Sequence, residues 1–411
     1  MRSGSHVVVL HRWRDRYADY ARYLDHTEHT VTYISTEVGT ESVPSTAREV
    51  VVVPAIDDLP VVAAEVRTLA RRFGPPDHIV ALKEDDLIVA AQLRAQWGCP
   101  GPTVAETMPF RDKVTMSTLV AASGIDVPAF AEIGDGSDVE RFAVAHGWPV
   151  VVKPRAGSSS AGVVVATRRD EIPAHVSGAM VQAFSSGEIH HIDGVFDGSE
   201  VVVHTISRYL RTCLEFRAGV PIGSVEVDDA ATHRRAGLFA QRALRALTTR
   251  PTVFHLEAFL DNNVFRFLEV GARAGGAEIP FVWRDLHNYD LNGAAFRIAL
   301  GAQPPAVGAV DTGGPVGGFL LVAAPAERPC RIDRSTPMLG AVPELYAEVV
   351  LQPGQILPAA DAYYEHVGGR FRFRGSSTAA VAAAVTRVGA EYQITGTALD
   401  QPNRTPAPTR A

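Results

Sequence analysis

The sequence predicts a mixed α/β (α+β) protein built from several subdomains. Its 411 residues exceed what one hydrophobic core ordinarily serves, so about two to four subdomains are expected. The first hundred residues alternate short apolar runs with segments of helical periodicity, which is typical of a small parallel α/β unit. Further along, β-branched runs are joined by loops rich in glycine, serine or asparagine, which favours antiparallel hairpins.

Residues 1–101 are predicted to form the N-terminal α/β domain. Its predicted strands are 7–10, 31–34, 50–53 and 78–82, and its predicted helices are 17–24, 59–73 and 85–97. The unit has no convincing glycine-rich dinucleotide fingerprint, so we assign it no cofactor.

Residues 102–184 form a second predicted region. A helix is expected over 113–122, and the pattern Ser137-Asp138-Val139-Glu140 predicts a capping box that opens another helix ending at 146. Strands 148–153 and 163–166 flank a loop rich in glycine and serine. Because both flanks are strands, this loop is predicted to be the flap of a hairpin, unlike the strand-to-helix turn of a Walker P-loop.

Residues 185–301 form the third predicted region, and 302–400 a small strand-rich C-terminal subdomain. The third region has predicted strands at 195–196 and 200–204, a helix over 232–247, a hairpin that carries two glutamates, and a closing helix over 292–300. A linker is expected over 301–317 and an alanine-rich helix over 378–388. Residues 401–411, rich in proline and threonine, are predicted to be a disordered tail.

Composition excludes several functional classes. The chain is 46% apolar and 21% charged, and no apolar run approaches the length of a membrane span, so we expect no membrane partner. The net charge of −7 argues against nucleic-acid binding. The three cysteines lack metal-ligand spacing and are expected to be reduced thiols. With no signal-peptide core at the start, a cytoplasmic protein is predicted.

The hairpin carries the most informative residues, Glu257 and Glu269, each in an apolar strand. A three-residue loop at 261–263 would make them diagonal neighbours on one face, roughly 7–8 Å apart at the backbone, from which both can reach one cation. A two-residue loop would send them to opposite faces. Four residues after Glu269 comes Arg273, a fixed cation suited to charge that develops on a phosphoryl group or an oxyanion. Two isolated glutamates are more often solvated acids on a surface hairpin.

Other residues suit a nucleotide. Lys113 and Lys153 are compact cations at the edges of loops, and the flap offers closely spaced backbone N–H groups and hydroxyls, although each feature alone is often a solvated surface. His190 and His191 are adjacent on a predicted strand and face opposite sides, so chelation by both is not expected.

In this order, the segments resemble the ATP-grasp superfamily over about residues 102–301, with a Rossmann-like domain preceding them. The resemblance implies binding of ATP with Mg²⁺ (or Mn²⁺), with Glu257 and Glu269 as the metal ligands and Arg273 as the catalytic, phosphate-facing arginine. The residues implied to bind ATP are Lys113, Lys153, Gly157, Ser158, Ser159, Ser160, Gly162, Gln182, Ala183, Phe184 and Glu188. At 182 a glutamine replaces the commoner glutamate.

One position differs from many members of the superfamily and points to a smaller group within it. Many members have asparagine two residues after the second metal glutamate, where this chain has Gly271. The sequence Glu-Val-Gly-Ala-Arg followed by Gly-Gly is similar to the L-amino-acid ligases and related carboxylate–amine ligases. Some of these have a bulky aromatic residue after the glycines, where Ala277 stands here, which implies a roomier acid pocket. The candidate substrate residues are His191, Gly275, Gly276 and Ala277.

The resemblance implies an ATP-dependent ligase that joins an amino acid or related carboxylate to an amine through an acylphosphate. The product is a dipeptide or amide, with ADP and phosphate, in a role suited to secondary metabolism. Its partners would be small-molecule substrates, and a homodimer is compatible with the lookalikes. Two alternatives stay open: another ATP-grasp chemistry, such as carboxylation or thiol ligation, and a non-catalytic ATP-binding protein.

Overall fold

The computed structural model describes residues 3–14, 17–305, 314–358 and 367–399. The chain divides into two compact units, Met1–Arg208 with Val227–Gly313, and Tyr209–Glu226 with Gly314–Ala411. The strands are β1 (His6–His11), β2 (Thr30–Ser35), β3 (Glu49–Val52), β4 (His78–Ala81), β5 (Phe130–Ile133), β6 (Val150–Pro154), β7 (Val164–Ala166), β8 (Ala179–Ala183), β9 (Glu188–Phe196), β10 (Val201–Tyr209), β11 (Ile222–Glu226), β12 (Thr252–Asp261), β13 (Val264–Gly271), β14 (Val316–Ala323), β15 (Cys330–Ser335), β16 (Leu345–Val350), β17 (Ile356–Leu357), β18 (Val367–Gly375) and β19 (Ile394–Ala398). The helices are α1 (Tyr20–Tyr23), α2 (Leu59–Phe73), α3 (Leu87–Trp97), α4 (Val104–Thr107), α5 (Lys113–Ala122), α6 (Gly136–His146), α7 (Cys213–Arg217), α8 (Ala230–Leu247), α9 (Ile279–His287), α10 (Leu291–Ala299) and α11 (Thr378–Glu391).

The N-terminal part of the first unit is a parallel four-stranded sheet, as the alternation of strands and helices predicts. Its order is β3-β2-β1-β4. Every residue of β1 and β4 is buried, which suits strands covered by helices on both faces. The helix predicted over 17–24 is shorter than expected: α1 has four residues, its N-cap makes no side-chain hydrogen bond, and Leu24 is already extended.

An antiparallel sheet with the order β5-β8-β6-β7 follows, packed against α6. The strands β6 and β7 form the predicted hairpin around the flap. The predicted Ser137 capping box is wrong, because Asp135 is the N-cap. Its carboxylate accepts from the backbone N–H of Ser137, and a capping box with Asp138 starts the helix earlier.

The third part of the first unit is an antiparallel sheet with the order β13-β12-β9-β10. The predicted apolar face of α8 is buried against one side of this sheet, where Phe254 and Leu256 also lie. The strands predicted at 195–196 and 200–204 are parts of nine-residue strands. Polar residues such as His191 and Asp193 interrupt the apolar pattern of β9 and hid its length.

The second unit contains β11-β14-β18-β16, packed by α11, and a three-stranded sheet β17-β15-β19. It therefore has the strand-rich character and the alanine-rich helix predicted for the C-terminal subdomain. The predicted tail 401–411 and residues 306–313 of the predicted linker lie outside the described residues. The finer division into domains stays a prediction. Over the described ranges, no helix has both the length and the apolar content to cross a bilayer.

Candidate active site

One face of the antiparallel sheet of the first unit carries two rows of polar residues. In the first row Glu257 on β12 lies between His191 on β9 and Glu269 on β13. In the second row His255 on β12 pairs with Asp193 on β9. Cross-strand partners project to the same side of a sheet, so these groups converge. The opposite side belongs to the hydrophobic core, which leaves the polar face for chemistry.

The turn and the register of this hairpin differ from the prediction. The predicted three-residue loop is wrong: the turn has two residues, Asn262 and Asn263, with φ values of 46° and 65°. Both asparagines adopt the left-handed conformation that a two-residue turn of this type requires. A register shift then leaves Leu268 unpaired as a bulge, and Glu257 directly opposes Glu269. The two acids share a face, as predicted, because the bulge compensates for the shorter loop.

Two lysines face this carboxylate pair. Nζ of Lys113, the first residue of α5, lies 3.6 Å from Oε2 of Glu269 and donates to the carbonyl of Gly157 at 2.9 Å. Lys153 on β6 is only 5% exposed. Its burial lowers its pKa to about 8, despite the opposing attraction of Glu269 and Glu257, while Lys113 lowers it further. The two sequence-predicted lysines and the two glutamates thus form one cluster.

Glu269 remains a carboxylate in this cluster. Burial alone would raise its pKa, but the positive charges of Lys113, Lys153, Arg273 and His255 outweigh that effect and hold the pKa below its usual value. A pair of facing carboxylates supplies the oxygen ligands that Mg²⁺ prefers. The residues present therefore fit the expected divalent cation.

The flap is a compact loop that contacts the cluster. Four of its residues have positive φ: Gly157 at 149°, Ser159 at 60°, Ser160 at 55° and Gly162 at 70°. Backbone N–H groups in such turns form concave surfaces for anions. The hydroxyl of Ser158 lies 3.3 Å from both carboxylate oxygens of Asp85.

The predicted adenosine-binding residues lie at the end of β8, just after it, and at the start of β9. Gln182 is buried, and its Nε2 has no hydrogen-bond acceptor among the described residues. A buried donor of this kind is satisfied when a ligand supplies an acceptor. Phe184 is exposed, whereas Glu188 accepts from Nη1 of Arg208 at 3.0 Å and keeps most of its side chain in solvent.

Arg273 pairs with Glu84, an acid that was not among the residues predicted from the sequence. Its Nε donates to Oε2 of Glu84 at 2.7 Å, and Nη1 donates to the carbonyl of Ala274 at 2.8 Å. Glu84 and Asp85 both pair with Arg111, at 2.5 and 3.0 Å. These acids come three and four residues after β4, beyond the carboxyl end of a parallel strand. Ligands usually bind at such ends, so the acidic run was a usable signal.

A buried network lies beside the carboxylate pair and was also missed. Asp193 accepts from Nδ1 of His191 at 2.5 Å and from Nδ1 of His255 at 2.8 Å, and Nε2 of His255 lies 3.4 Å from Oε1 of Glu257. His191, Asp193 and His255 lie close enough together to hold a metal ion. However, the distances from Asp193 to the two histidines are those of direct hydrogen bonds. His190 lies apart, with Nδ1 3.2 Å from the carbonyl of Glu188.

In this network the pKa of His255 is raised and the pKa of Asp193 is lowered. Burial lowers the pKa of His255, but Asp193 and Glu257 outweigh it and raise the pKa to about 9. Burial likewise opposes ionisation of Asp193, yet His255 and His191 hold its pKa well below the usual range. The sequence did contain a signal for this network. His191 and Asp193 are two residues apart, as are His255 and Glu257, and residues at that spacing share one face of a strand.

Three of the four candidate substrate residues, Gly275, Gly276 and Ala277, follow β13. A Cβ at Gly275 would lie 2.5 Å from Oδ1 of Asp193 and 3.0 Å from Nδ1 of His255, so the glycine lets the backbone pack on the network. Gly276 has open space around it. Ala277 has a φ of 54°, and α9 begins two residues later.

The curated proteins that this chain resembles include two ligases that act on amino acids. No protein-family model matches the chain. The L-arginine-specific L-amino acid ligase of Bacillus subtilis is 23% identical over 272 residues, which are 63% of this chain and 66% of the ligase. The D-alanine–D-alanine ligase of Gloeobacter violaceus is 31% identical over 157 residues, 36% of this chain and 49% of that protein. The chain thus spans about half to just under two thirds of the length of these relatives.

Solved structures show the same fold over nearly the whole chain. The L-amino acid ligase from Bacillus licheniformis superposes with a TM-score of 0.75 at 18% identity, covering 96% of this chain and 99% of that one. The N5-carboxyaminoimidazole synthetase from Staphylococcus aureus, complexed with ADP, has a TM-score of 0.68 at 11% identity, with coverage of 95% and 98%.

These findings confirm the predicted fold class, which is that of the ATP-grasp proteins. Both the sequence comparison and the structural comparison include L-amino acid ligases.

Proposed function

We propose that this protein is an ATP-dependent carboxylate–amine ligase that activates an amino acid or related carboxylate and joins it to an amine. The observation that carries the proposal is the facing pair Glu257 and Glu269, with Lys113 and Lys153 beside it. Two carboxylates on one polar face, with two lysines opposite them, suit a metal-bound polyphosphate. The names of the relatives, including two amino acid ligases, support the same reaction class.

The first step is phosphoryl transfer. The substrate carboxylate attacks the γ-phosphorus of ATP, the bond to the β,γ-bridging oxygen breaks, and ADP and an acylphosphate form. Glu257 and Glu269 would hold Mg²⁺, which when bound neutralises phosphate charge. Lys113 and Lys153 offset the remaining negative charge. Gly157, Ser158, Ser159, Ser160 and Gly162 would cover the phosphates and keep water away from the acylphosphate.

The second step is acyl transfer. The amine attacks the acyl carbon and loses a proton, the acyl carbon–oxygen bond breaks, and phosphate leaves. Arg273 is positioned to stabilise negative charge on the oxyanion and the departing phosphate. The overall reaction converts acid, amine and ATP into amide, ADP and phosphate.

The remaining site residues are assigned by the same proposal. Gln182, Ala183 and Phe184 would frame the adenine, and Glu188 would accept from the ribose. The buried, unpaired Nε2 of Gln182 supports the adenine assignment. His191, Gly275, Gly276 and Ala277 would line the substrate end of the site. A homodimer stays a prediction.

The test is a screen for phosphate and ADP release with Mg²⁺-ATP and pooled amino acids, followed by mass spectrometry of the products. We expect release that depends on added amino acids, together with a dipeptide or amide. Glu269→Gln should abolish ADP formation. Parallel reactions with bicarbonate or with a thiol acceptor separate the other ATP-grasp chemistries. Release that needs no amine contradicts the ligase proposal, and ATP binding without any turnover identifies a binding protein.

A further inference from the structure

At the end of β13, the space that a side chain of residue 271 would occupy lies against Glu84 and Arg273. A Cβ built there would lie 3.3 Å from Oε2 of Glu84 and 3.4 Å from Cγ of Arg273. Contacts that short are tighter than ordinary van der Waals packing, so even alanine would press on the pair. The space beside Gly271 is therefore filled by an ion pair between residues 84 and 273.

Glu84 lies between two guanidinium groups. Its Oε2 accepts from Nε of Arg273 at 2.7 Å, and its Oε1 lies 2.5 Å from Nη1 of Arg111. The side chains of Glu84 and Arg111 are 12% and 8% exposed. Shielding from water strengthens such pairs, and loss of the carboxylate would leave two cations close together. With both oxygens occupied by arginines, Glu84 is poorly placed to serve as a metal ligand.

The same carboxylate connects two parts of the proposed active site. Arg111 precedes Lys113 by two residues, and Lys113 lies 3.6 Å from Glu269. Arg273 follows Glu269 by four residues. The turn Glu84–Asp86 thus contacts both segments at once.

We propose that Glu84 is a positioning residue that fixes the guanidinium of Arg273 for the reaction, and that Gly271 is required because its missing side chain leaves room for that carboxylate. This inference rests on the proposed function, since it assigns Glu84 a role through Arg273. A carboxylate bound at Nε, together with the carbonyl of Ala274 at Nη1, fixes the plane and direction of the guanidinium.

A double-mutant cycle tests the coupling. Glu84→Gln keeps the shape of the side chain but removes its charge, so kcat should fall about tenfold or more while the KM for ATP changes less than about twofold. In an Arg273→Ala background the same substitution should cause no further loss, because it acts through the missing arginine. Asp126→Asn, which breaks the exposed pair with Arg266, is the control and should leave turnover unchanged.

Substitutions at Gly271 probe the same carboxylate from the other side. Gly271→Ala should lower kcat moderately and Gly271→Asn more, and neither should matter once Arg273 is alanine. Gly389→Ala, with only ordinary contacts around the added methyl group, is the matched control. These variants also keep the test informative if Glu84→Gln fails to fold.

Equal losses from Glu84→Gln with and without Arg273 would overturn the inference. So would an unchanged NMR signal of the Arg273 Nε–H in Glu84→Gln, because that proton is donated to the carboxylate. If the wild-type protein forms no ADP with any substrate, the proposed function has failed. The cycle is then measured on the Kd of Mg²⁺ with a non-hydrolysable ATP analogue, where additive effects would overturn the positioning role.

Discussion

Glu257 and Glu269 are direct cross-strand partners, although the two-residue turn between their strands would by itself put them on opposite faces. The unpaired residue Leu268 restores the match. Bulges redirect side chains in this way next to active sites. The metal pair of the proposed site therefore depends on an irregular strand.

Removing one member of this pair should weaken metal binding. In Glu257→Gln one charged oxygen donor is lost, so we expect the Mg²⁺ concentration for half-maximal turnover to rise at least about tenfold and saturated turnover to fall. A Mg²⁺ titration of ADP formation measures both. Asp261→Asn, an exposed acid at the end of the same hairpin, should behave as wild type. A normal Mg²⁺ dependence in Glu257→Gln would refute the metal assignment.

The flap should be sensitive to a methyl group at Gly162. This residue has a φ of 70°, and an added Cβ would lie 2.9 Å from Cγ of Pro154. Gly162→Ala therefore combines backbone strain with a clash inside the loop, and we expect the KM for ATP to rise severalfold.

Gly178 provides the matched control for the flap. It has a φ of 73° but no atom within 4 Å of an added Cβ. Gly178→Ala carries the same strain of about 1 kcal/mol without the clash and outside the flap, so stability should fall and the KM for ATP should not change. An equal rise of KM in both variants would mean that strain alone, and not the shape of the flap, controls nucleotide binding.

The buried network should depend on Gly275. A methyl group there would meet Oδ1 of Asp193 at 2.5 Å, so Gly275→Ala should separate the histidines from their acid, lower the melting temperature by several degrees and reduce turnover. Gly276→Ala meets no atom within 4 Å and should melt within about a degree of the wild type. Thermal unfolding of both variants makes the comparison. Equal melting temperatures would show that the network tolerates displacement.

Sequence reasoning predicted the parts of the site that follow local rules. The parallel alternation, the flap between two strands and the helix that begins at Lys113 all depend on neighbours in the chain. Glu257 and Glu269 were placed on one face, but for a reason that was wrong in detail. Turn length and bulge compensate for each other, and a bulge has no dependable sequence signal.

The residues that were missed lie far apart in the chain. Glu84 meets Arg273 across 189 positions, and Asp193 meets His255 across 62. No periodicity within one segment reports such a contact. Polar residues also made β9 look too short, because a functional strand breaks the apolar pattern by which strands are recognised.

Stability at acidic pH should depend on His11, which is 2% exposed. Burial lowers the pKa of this imidazole to about 4, although backbone groups of Trp13 and Gly39 oppose the shift, so the ring is neutral near pH 7. The hydroxyl of Ser42 donates to the carbonyl of Trp13 and therefore accepts from Nε2 of His11 at 2.8 Å, and Nδ1 of the neutral ring accepts from Tyr20 at 3.1 Å.

The sign of the pH effect follows from proton uptake. Unfolded His11 binds a proton near pH 6.5 and folded His11 only near 4, so its contribution to stability is present above pH 6.5 and is lost as pH falls towards 4. Between pH 7 and pH 5 that loss is about 2 kcal/mol. Urea unfolding of the wild type and of His11→Gln at both pH values isolates the contribution of His11 to stability, because the two proteins share every other titrating group. The wild type should lose about 2 kcal/mol more than the variant, and parallel losses would mean that His11 is protonated as easily in the folded chain as in the unfolded one.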